Sequence, residues 1–335
     1  MSKIRVALIF GGQSEEHAVS IMTAREIMKA IDREKYEVTL FGIDRSGFWQ
    51  KMMDIPEDLK ALAFDHSGDK LPSEVLSGLQ RDIDIVFPLL HGPYGEDGRI
   101  QGLFDMMGLP YAGCDLMASA LCMDKDYTKK ILKRIGIPVT ASFTYREYET
   151  IDVDEIIKCL GLPIFVKPVN LGSSVGITKA KTREELSSAI TLAFKYDGKV
   201  IIEEAINARE LECAVLGNND PEVSPVGEII PSHEFYDYEA KYFDGGQSKL
   251  LIPADIDKET RGTIRTFARK AYQELGCKGL SRIDFFMEKE TGEIYLNEIN
   301  TMPGFTPFSM YPQLWKHGGI DYADLIDRLI MLGMA

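Results

Sequence analysis

The chain has 335 residues, 45% hydrophobic and 27% charged, with 38 basic against 52 acidic side chains for a net charge of −14. That length exceeds one compact core and is read as about two or three domains of ordinary globular composition. The acidic balance excludes the broad positive surface that nucleic-acid binding needs and disfavours an anionic membrane surface, but leaves room for a local basic pocket.

Ile4–Phe10 is apolar and β-branched, and it stops at Gly11-Gly12. No small-residue cleavage site follows and Glu15 and Glu16 come almost at once, so the stretch reads as a first core strand rather than a signal peptide. A helix is expected from about Val19 to Ile31, then strands at Glu37–Gly42 and Asp84–Leu90, with the polar stretch Asp54–Ser77 as surface connection. This βαβ rhythm implies a mostly parallel sheet with helices on its faces. A second unit begins near Gly113. Leu116–Ile135 reads as helix with a break near Asp124, and Ile164–Pro168 and Gly176–Lys179 as strands around a loop. Thr182–Tyr196 reads as a helix with Thr182 as N-cap and Glu185 at capping-box spacing, and Val200–Glu203 as another strand. The last unit has strands at Leu211–Leu216, Leu280–Met287 and Glu293–Asn297, and helices at Lys258–Leu275 and Tyr322–Leu332. Between them Ser232–Lys249, rich in Tyr, Asp and Gly, is a loop long enough to suggest function or disorder. Five cysteines, odd in number and without Cys-x-x-Cys spacing, argue against a disulfide framework or zinc site and fit a reducing compartment. No run approaches the ~20 apolar residues of a membrane span, so a soluble, cytoplasmic protein is expected.

Four segments carry chemistry. In Arg282-Ile283-Asp284 and Asn297-Glu298-Ile299-Asn300, strand alternation puts Arg282 with Asp284 on one face and Glu298 with Asn300 on one face. If the strands pair, Asp284, Glu298 and Asn300 form an oxygen cluster suited to Mg²⁺; the alternative is a solvated face, disfavoured by the apolar neighbours. Gly172-Ser173-Ser174-Val175-Gly176 follows Lys167 and suits backbone approach to phosphate oxygens, or is an ordinary hairpin; it lacks the Walker A ending. Gly11–His17 is a glycine turn opening a helix, an anion site in principle, whose acids serve equally to hold an ammonium group or only to cap the helix. Its glycines lack dinucleotide spacing, so a dehydrogenase is weakly supported. His91–Gly98 sits at a strand's C-terminal end, where α/β sites form.

In this order and spacing the segments resemble the D-alanine–D-alanine ligases of the ATP-grasp superfamily, over nearly the whole chain. The carrying stretches are Gly-Gly-Gln-Ser-Glu-Glu-His-Ala-Val-Ser (11–20), His-Gly-Pro-Tyr-Gly-Glu-Asp-Gly (91–98), Ala-Leu-Cys-Met-Asp-Lys (120–125), Val-Lys-Pro-Val-Asn-Leu-Gly-Ser-Ser-Val-Gly (166–176), Phe-Tyr-Asp-Tyr-Glu-Ala-Lys-Tyr (235–242) and Asn-Glu-Ile-Asn-Thr-Met-Pro-Gly-Phe-Thr (297–306). The resemblance implies an α/β fold, α+β in its ATP-grasp part, of three domains: a Rossmann-like substrate domain (1–113), a central ATP-grasp domain (114–202) and a C-terminal one with the Mg²⁺ and substrate site (203–335). It implies ATP as co-substrate and two Mg²⁺ ions, replaceable by Mn²⁺, held by Asp284, Glu298 and Asn300. Lys125, Lys167 and Lys241 match phosphate-contacting lysines, Ser173 and Ser174 the loop over the phosphates, and Glu203 and Glu210 the adenine and ribose edge. Glu16 matches the acid that holds the first D-alanine's ammonium, with His91 near that substrate. Arg282 and the Gly304 N–H match oxyanion stabilisers, Ser309 and Met310 the second-substrate pocket, and Tyr242 the tyrosine that closes the site toward Ser173 and Glu16.

The implied product is D-alanyl-D-alanine for peptidoglycan, made through D-alanyl phosphate, with D-alanine and ATP as partners and no nucleic acid or membrane. The family is often dimeric, but no interface signature is legible. A D-serine or D-lactate acceptor is the nearest rival. D-lactate relatives lack the loop tyrosine, which this chain has at Tyr242; D-serine relatives tend to carry arginine where this chain has Met310. A regulatory module without catalysis would be expected to lack a metal ligand or the oxyanion arginine, and all four residues are present.

Overall fold

The computed structural model describes residues 2–58, 62–172, 175–230 and 249–335. In chain order the first part is β1 (Ile4–Gly11), α1 (His17–Ala30), β2 (Tyr36–Ile43), β3 (Trp49–Met52), α2 (Ser73–Asp82), β4 (Ile85–Pro88) and α3 (Arg99–Met107). Its sheet runs β3-β2-β1-β4, with β1 parallel to both β2 and β4 and β3 antiparallel at the edge. The β-branched, apolar β1 is central and buried on both faces, as a parallel strand flanked by helices must be. The loops after β1 and β4 therefore leave the same edge side by side.

The middle part holds α4 (Leu116–Met123), α5 (Lys125–Arg134), β5 (Ser142–Arg146), α6 (Val153–Leu160), β6 (Ile164–Pro168), β7 (Thr178–Ala180), α7 (Arg183–Ala193) and β8 (Lys199–Glu204). The strands form an antiparallel sheet, β5-β8-β6-β7. Ile164, Val166, Val200 and Ile202 pack against α6 and α7, so Lys167 and Glu203 lie on the opposite face. The helix break expected near Asp124 falls there: the Asp124 carboxylate caps α5 by accepting from the N–H groups of Asp126 and Tyr127. Thr182 caps α7 as expected, but Glu185 reaches back to the N–H of Lys181 at 2.6 Å rather than to the cap residue itself.

The last part holds β9 (Ala208–Leu216), β10 (Glu222–Val223), β11 (Gly227–Ile230), β12 (Lys249–Leu251), α8 (Lys258–Glu274), β13 (Leu280–Glu288), β14 (Ile294–Asn300), α9 (Met310–His317) and α10 (Tyr322–Gly333). Its antiparallel sheet runs β12-β11-β9-β13-β14, with β10 also on β9. Ile283 and Phe285 share a core with Ile264, Ala268 and Tyr272 of α8 and with Ala118 and Cys122 of α4. Arg282 and Asp284 consequently face the other side. The chain then returns to the first sheet: Phe305, Tyr311, Trp315 and Leu325 join Val6, Leu8 and Phe87 in one core. That return brings residues 301–304 against the loop after β4.

The stretch Asp54–Ser77 is not merely surface connection. Ile55 and Leu62 are buried in the first core, and α2 begins at Ser73. The strands β3, β5, β10, β11 and β12 and the helices α3, α6 and α9 were also not anticipated. The loop Ser232–Lys249 lies outside the described residues except for Lys249, which opens β12. No helix among the described residues is long and apolar enough to cross a membrane.

Candidate active site

The two parallel-strand loops are locked together. The Ser14 hydroxyl donates to the His91 carbonyl at 2.6 Å, and the Ser20 hydroxyl bridges the Gly11 N–H and the Leu89 carbonyl. Gly92 has φ +71°, and a Cβ there would come within 3.0 Å of Glu16 Oε2. The glycine both permits the left-handed turn and lets the Glu16 carboxylate lie against the loop.

One residue of the returning segment is held from both sides. The Met302 carbonyl accepts from His91 Nδ1 at 2.8 Å, and the Met302 N–H donates to Glu96 Oε2 at 3.2 Å. Glu96 Oε1 accepts from the Gly92 N–H at 2.7 Å. A carbonyl only accepts, so Nδ1 carries the His91 proton and Nε2 takes the Thr23 hydroxyl at 3.3 Å. Burial lowers the affinity of this imidazole for a second proton. His91 is thus a neutral clamp on the Met302 peptide.

On the sheet face opposite α8, Asp284 stands directly across from Glu212 on β9 and Glu298 on β14, and Arg282 directly across from Asn300. The shared-face geometry expected from alternation is present. The Arg282 guanidinium grips Asp284 through Nε and Nη2, both at 2.7 Å, and lies 2.9 Å from Glu212. Asn300 Nδ2 donates to Asp284 Oδ2 at 3.0 Å. Among the described residues no three His, Cys, Asp or Glu side chains converge as a ready metal cage. Mg²⁺ does not require one: it is commonly held by one or two carboxylates, with substrate phosphates and water completing the shell. Two carboxylates and an amide oxygen on adjoining strands fit that donor set.

One cleft collects Glu16, Glu96, Lys125, Gly172, Arg282, Glu298, Asn300 and Gly304 along its walls. Lys125 Nζ donates to the Leu171 carbonyl at 2.5 Å. Burial depresses this ammonium, and nearby Glu298 opposes that effect. Lys167 pairs with Glu203 at 2.5 Å. Burial works against its charge, but Glu203 overrides this and holds the ammonium raised. Glu210 lies on β9 opposite Phe286, half-buried.

Ser309 and Met310 are not part of the cleft's described lining. The Ser309 hydroxyl closes a turn with Thr306 Oγ1 at 2.8 Å. The buried Met310 side chain packs against Gly227, whose added Cβ would meet its sulfur at 2.9 Å. Met310→Arg should therefore force a cation into an apolar core, at about 3–5 kcal/mol, and thermal melting should show a large loss of stability. A well-folded variant with altered acceptor preference would instead mean that the side chain reaches substrate. Ser173, Ser174, Lys241 and Tyr242 lie outside the described residues.

Two residues were missed. Lys129 is buried against Glu203; its signal was its position one turn past Lys125 on the same helix face. Glu96 lies within the motif His91–Gly98, where the sequence assigns it no role. Burial, then the Glu16 charge, pushes its carboxyl up to about 8. It is therefore largely protonated below that pH, and a bound ammonium favours the ionised form. The expected result is that kcat/KM for the first amino acid rises with pH through about 8, and that Glu96→Gln loses this limb. An unchanged profile in the variant would assign the limb to another group.

Comparison with known proteins shows the family of the chain. The family described as "D-ala D-ala ligase N-terminus" matches residues 5–114, and "D-ala D-ala ligase C-terminus" matches residues 131–331. A D-alanine–D-alanine ligase of Thermoanaerobacter pseudethanolicus is 47% identical over 351 residues, covering 100% of this chain and 97% of that protein. The crystal structure of the VanG D-Ala:D-Ser ligase from Enterococcus faecalis has a TM-score of 0.87 at 41% identity, covering 99% of this chain and 100% of that one. The D-alanine–D-alanine ligase from Coxiella burnetii follows at 0.84 and 35%, with coverage of 100% and 94%. With both halves of its sequence matched and relatives similar from end to end, the chain belongs to the D-alanine–D-alanine ligase family.

Proposed function

We propose that the cleft joins two D-alanine molecules at the expense of ATP, giving the dipeptide, ADP and phosphate for peptidoglycan precursor synthesis. The observation that carries this reading is the convergence of an ammonium-binding acid (Glu16), a cation for phosphate (Lys125), an oxygen cluster for metal (Glu298, Asn300) and an oxyanion arginine (Arg282) in one cleft. A carboxylate oxygen of the first D-alanine attacks the γ-phosphorus and ADP leaves, giving an acyl phosphate. The second amine attacks the acyl carbon, its proton is lost and phosphate departs. Glu16 holds the first ammonium, Lys125 and Lys167 meet the phosphates, and Arg282 with the Gly304 N–H stabilises the tetrahedral oxyanion. Two Mg²⁺ ions, with Mn²⁺ as a substitute, would supply charge neutralisation for phosphoryl transfer when bound. Asp284, Glu298 and Asn300 would hold them.

The remaining assignments form part of the proposal on the strength of the family motifs. Glu203 and Glu210 serve the adenine and ribose edge, and Ser173, Ser174, Lys241 and Tyr242 enclose the phosphates and substrate. Ser309 contacts the second D-alanine, with Met310 supporting it from the core side. The division into 1–113, 114–202 and 203–335 is supported by the three sheets, which fall within these ranges apart from the last two residues of β8. A cytoplasmic enzyme is the corresponding cellular reading, with a homodimer implied only by the family's habit.

A D-serine acceptor is the second reading, favoured by the 41% identity to the VanG ligase. Product analysis with ATP and D-alanine alone, then with equimolar D-serine or D-lactate, separates the two. D-alanyl-D-alanine as the main product in every mixture is expected; predominance of a mixed product would favour the rival.

A further inference from the structure

Glu203 is shared between two lysines. Its Oε1 forms a short ion pair with Lys129 and its Oε2 one with Lys167 at 2.5 Å. The side chains of Lys129 and Glu203 are each 4% exposed and that of Lys167 12%. Burial works against the Glu203 charge, but Lys167 and Lys129 hold its carboxyl far below the usual range, so it stays ionised. The triad therefore carries one more positive than negative charge in a desolvated place, an arrangement that an anion would complete.

The two lysines differ in what else holds them. Lys129 Nζ is also bound to the Thr140 hydroxyl and, at 3.3 Å, the Thr140 carbonyl. With Glu203 these make three protein oxygens for three donors. Lys167 has Glu203 as its one acceptor among the described residues, so two of its donors remain for another oxygen. It also lies close enough to Lys125, which lines the cleft, for their charges to interact, on the face of its sheet opposite α6 and α7.

We propose that Lys129 is a positioning residue for nucleotide binding: it keeps Glu203 neutralised and fixed, which frees Lys167 to turn from Glu203 to a nucleotide phosphate. Without Lys129, the buried Glu203 carboxylate would keep Lys167 as its one direct ion-pair partner among the described residues, with Lys125 acting only from farther off, and would hold Lys167 away from the phosphate. This rests on the reading of Lys167 as a phosphate-contacting residue.

The test measures dissociation constants for ATP and for adenosine by calorimetry with the full chain; their ratio isolates the phosphate contribution from adenine binding. Lys129→Met should lower the ATP preference by about 10-fold, the scale of one charge-assisted hydrogen bond; any change at the adenine edge through Glu203 affects both ligands and cancels in the ratio. Adding Glu203→Gln removes the competing carboxylate and should restore the ratio. Lys129→Gln, which keeps a donor to Thr140, serves as the second variant if Lys129→Met does not fold. An unchanged ratio in a folded Lys129 variant, or equal losses for ATP and adenosine, would overturn the proposal in favour of a purely structural lysine. Lys167→Met is the control: an unchanged ratio there would remove the phosphate role of Lys167, and the proposal with it.

Discussion

Glu298→Gln is expected to lower kcat by on the order of 10³-fold or more in a variant that still folds. The substitution keeps shape and removes the charge that would face a divalent cation. Metal stabilisation of a transferring phosphoryl group is worth several kcal/mol, and about 4 kcal/mol corresponds to 10³ in rate. Asp284→Asn should be as inactive but less stable, because the Asp284 carboxylate also takes both prongs of the Arg282 guanidinium. Loss of activity in both variants, with melting curves showing that each still folds, would support metal binding by the pair. Near-normal kcat in both variants at millimolar Mg²⁺ would remove the metal assignment.

Arg282→Lys should lower kcat on the order of 10²-fold or more, the cost of losing one oxyanion donor, with the ATP dissociation constant changed far less. The guanidinium spans Asp284 with two bonds and lies beside Glu212 on the other strand. An ammonium is a point charge on a flexible stem and cannot satisfy that fork, so it settles on one carboxylate and leaves the cleft. A collapse of ATP binding instead would make Arg282 a nucleotide or structural residue. A melting curve taken alongside would show whether the fork also matters to folding.

What could be read from the sequence depended on whether the signal was local. The strand alternation that put Asp284 opposite Glu298 held in the paired strands. The break at Asp124 and the cap at Thr182 also fell where side-chain chemistry placed them. Short or edge elements such as β3, β5 and β12 have too few residues for a periodic pattern to emerge. Residues Asp54–Ser77 look polar because only isolated side chains, Ile55 and Leu62, anchor the segment to the core.

The site residues divide in the same way. Lys129 stands in a helix with four other basic residues, and its contacts with Thr140 and with Glu203, distant in sequence, distinguish it from them. His91 was placed near substrate by its motif, whereas its ring bonds tie it to the Met302 peptide and to Thr23. That clamp pairs residues 211 positions apart, so no local pattern announces it. For Met310 the family resemblance implies a pocket wall for the second substrate, whereas its packing against Gly227 depends on the tertiary fold.

The central claim is that the first substrate's carboxylate, not water, takes the phosphoryl group. D-alanine labelled with oxygen-18 in its carboxylate, incubated with ATP, Mg²⁺ and the protein, tests this directly by mass spectrometry of the released phosphate and the dipeptide. The account predicts one labelled oxygen in the phosphate for each D-alanyl-D-alanine formed. Dipeptide formed with unlabelled phosphate, or ATP hydrolysis with no dipeptide, would contradict it.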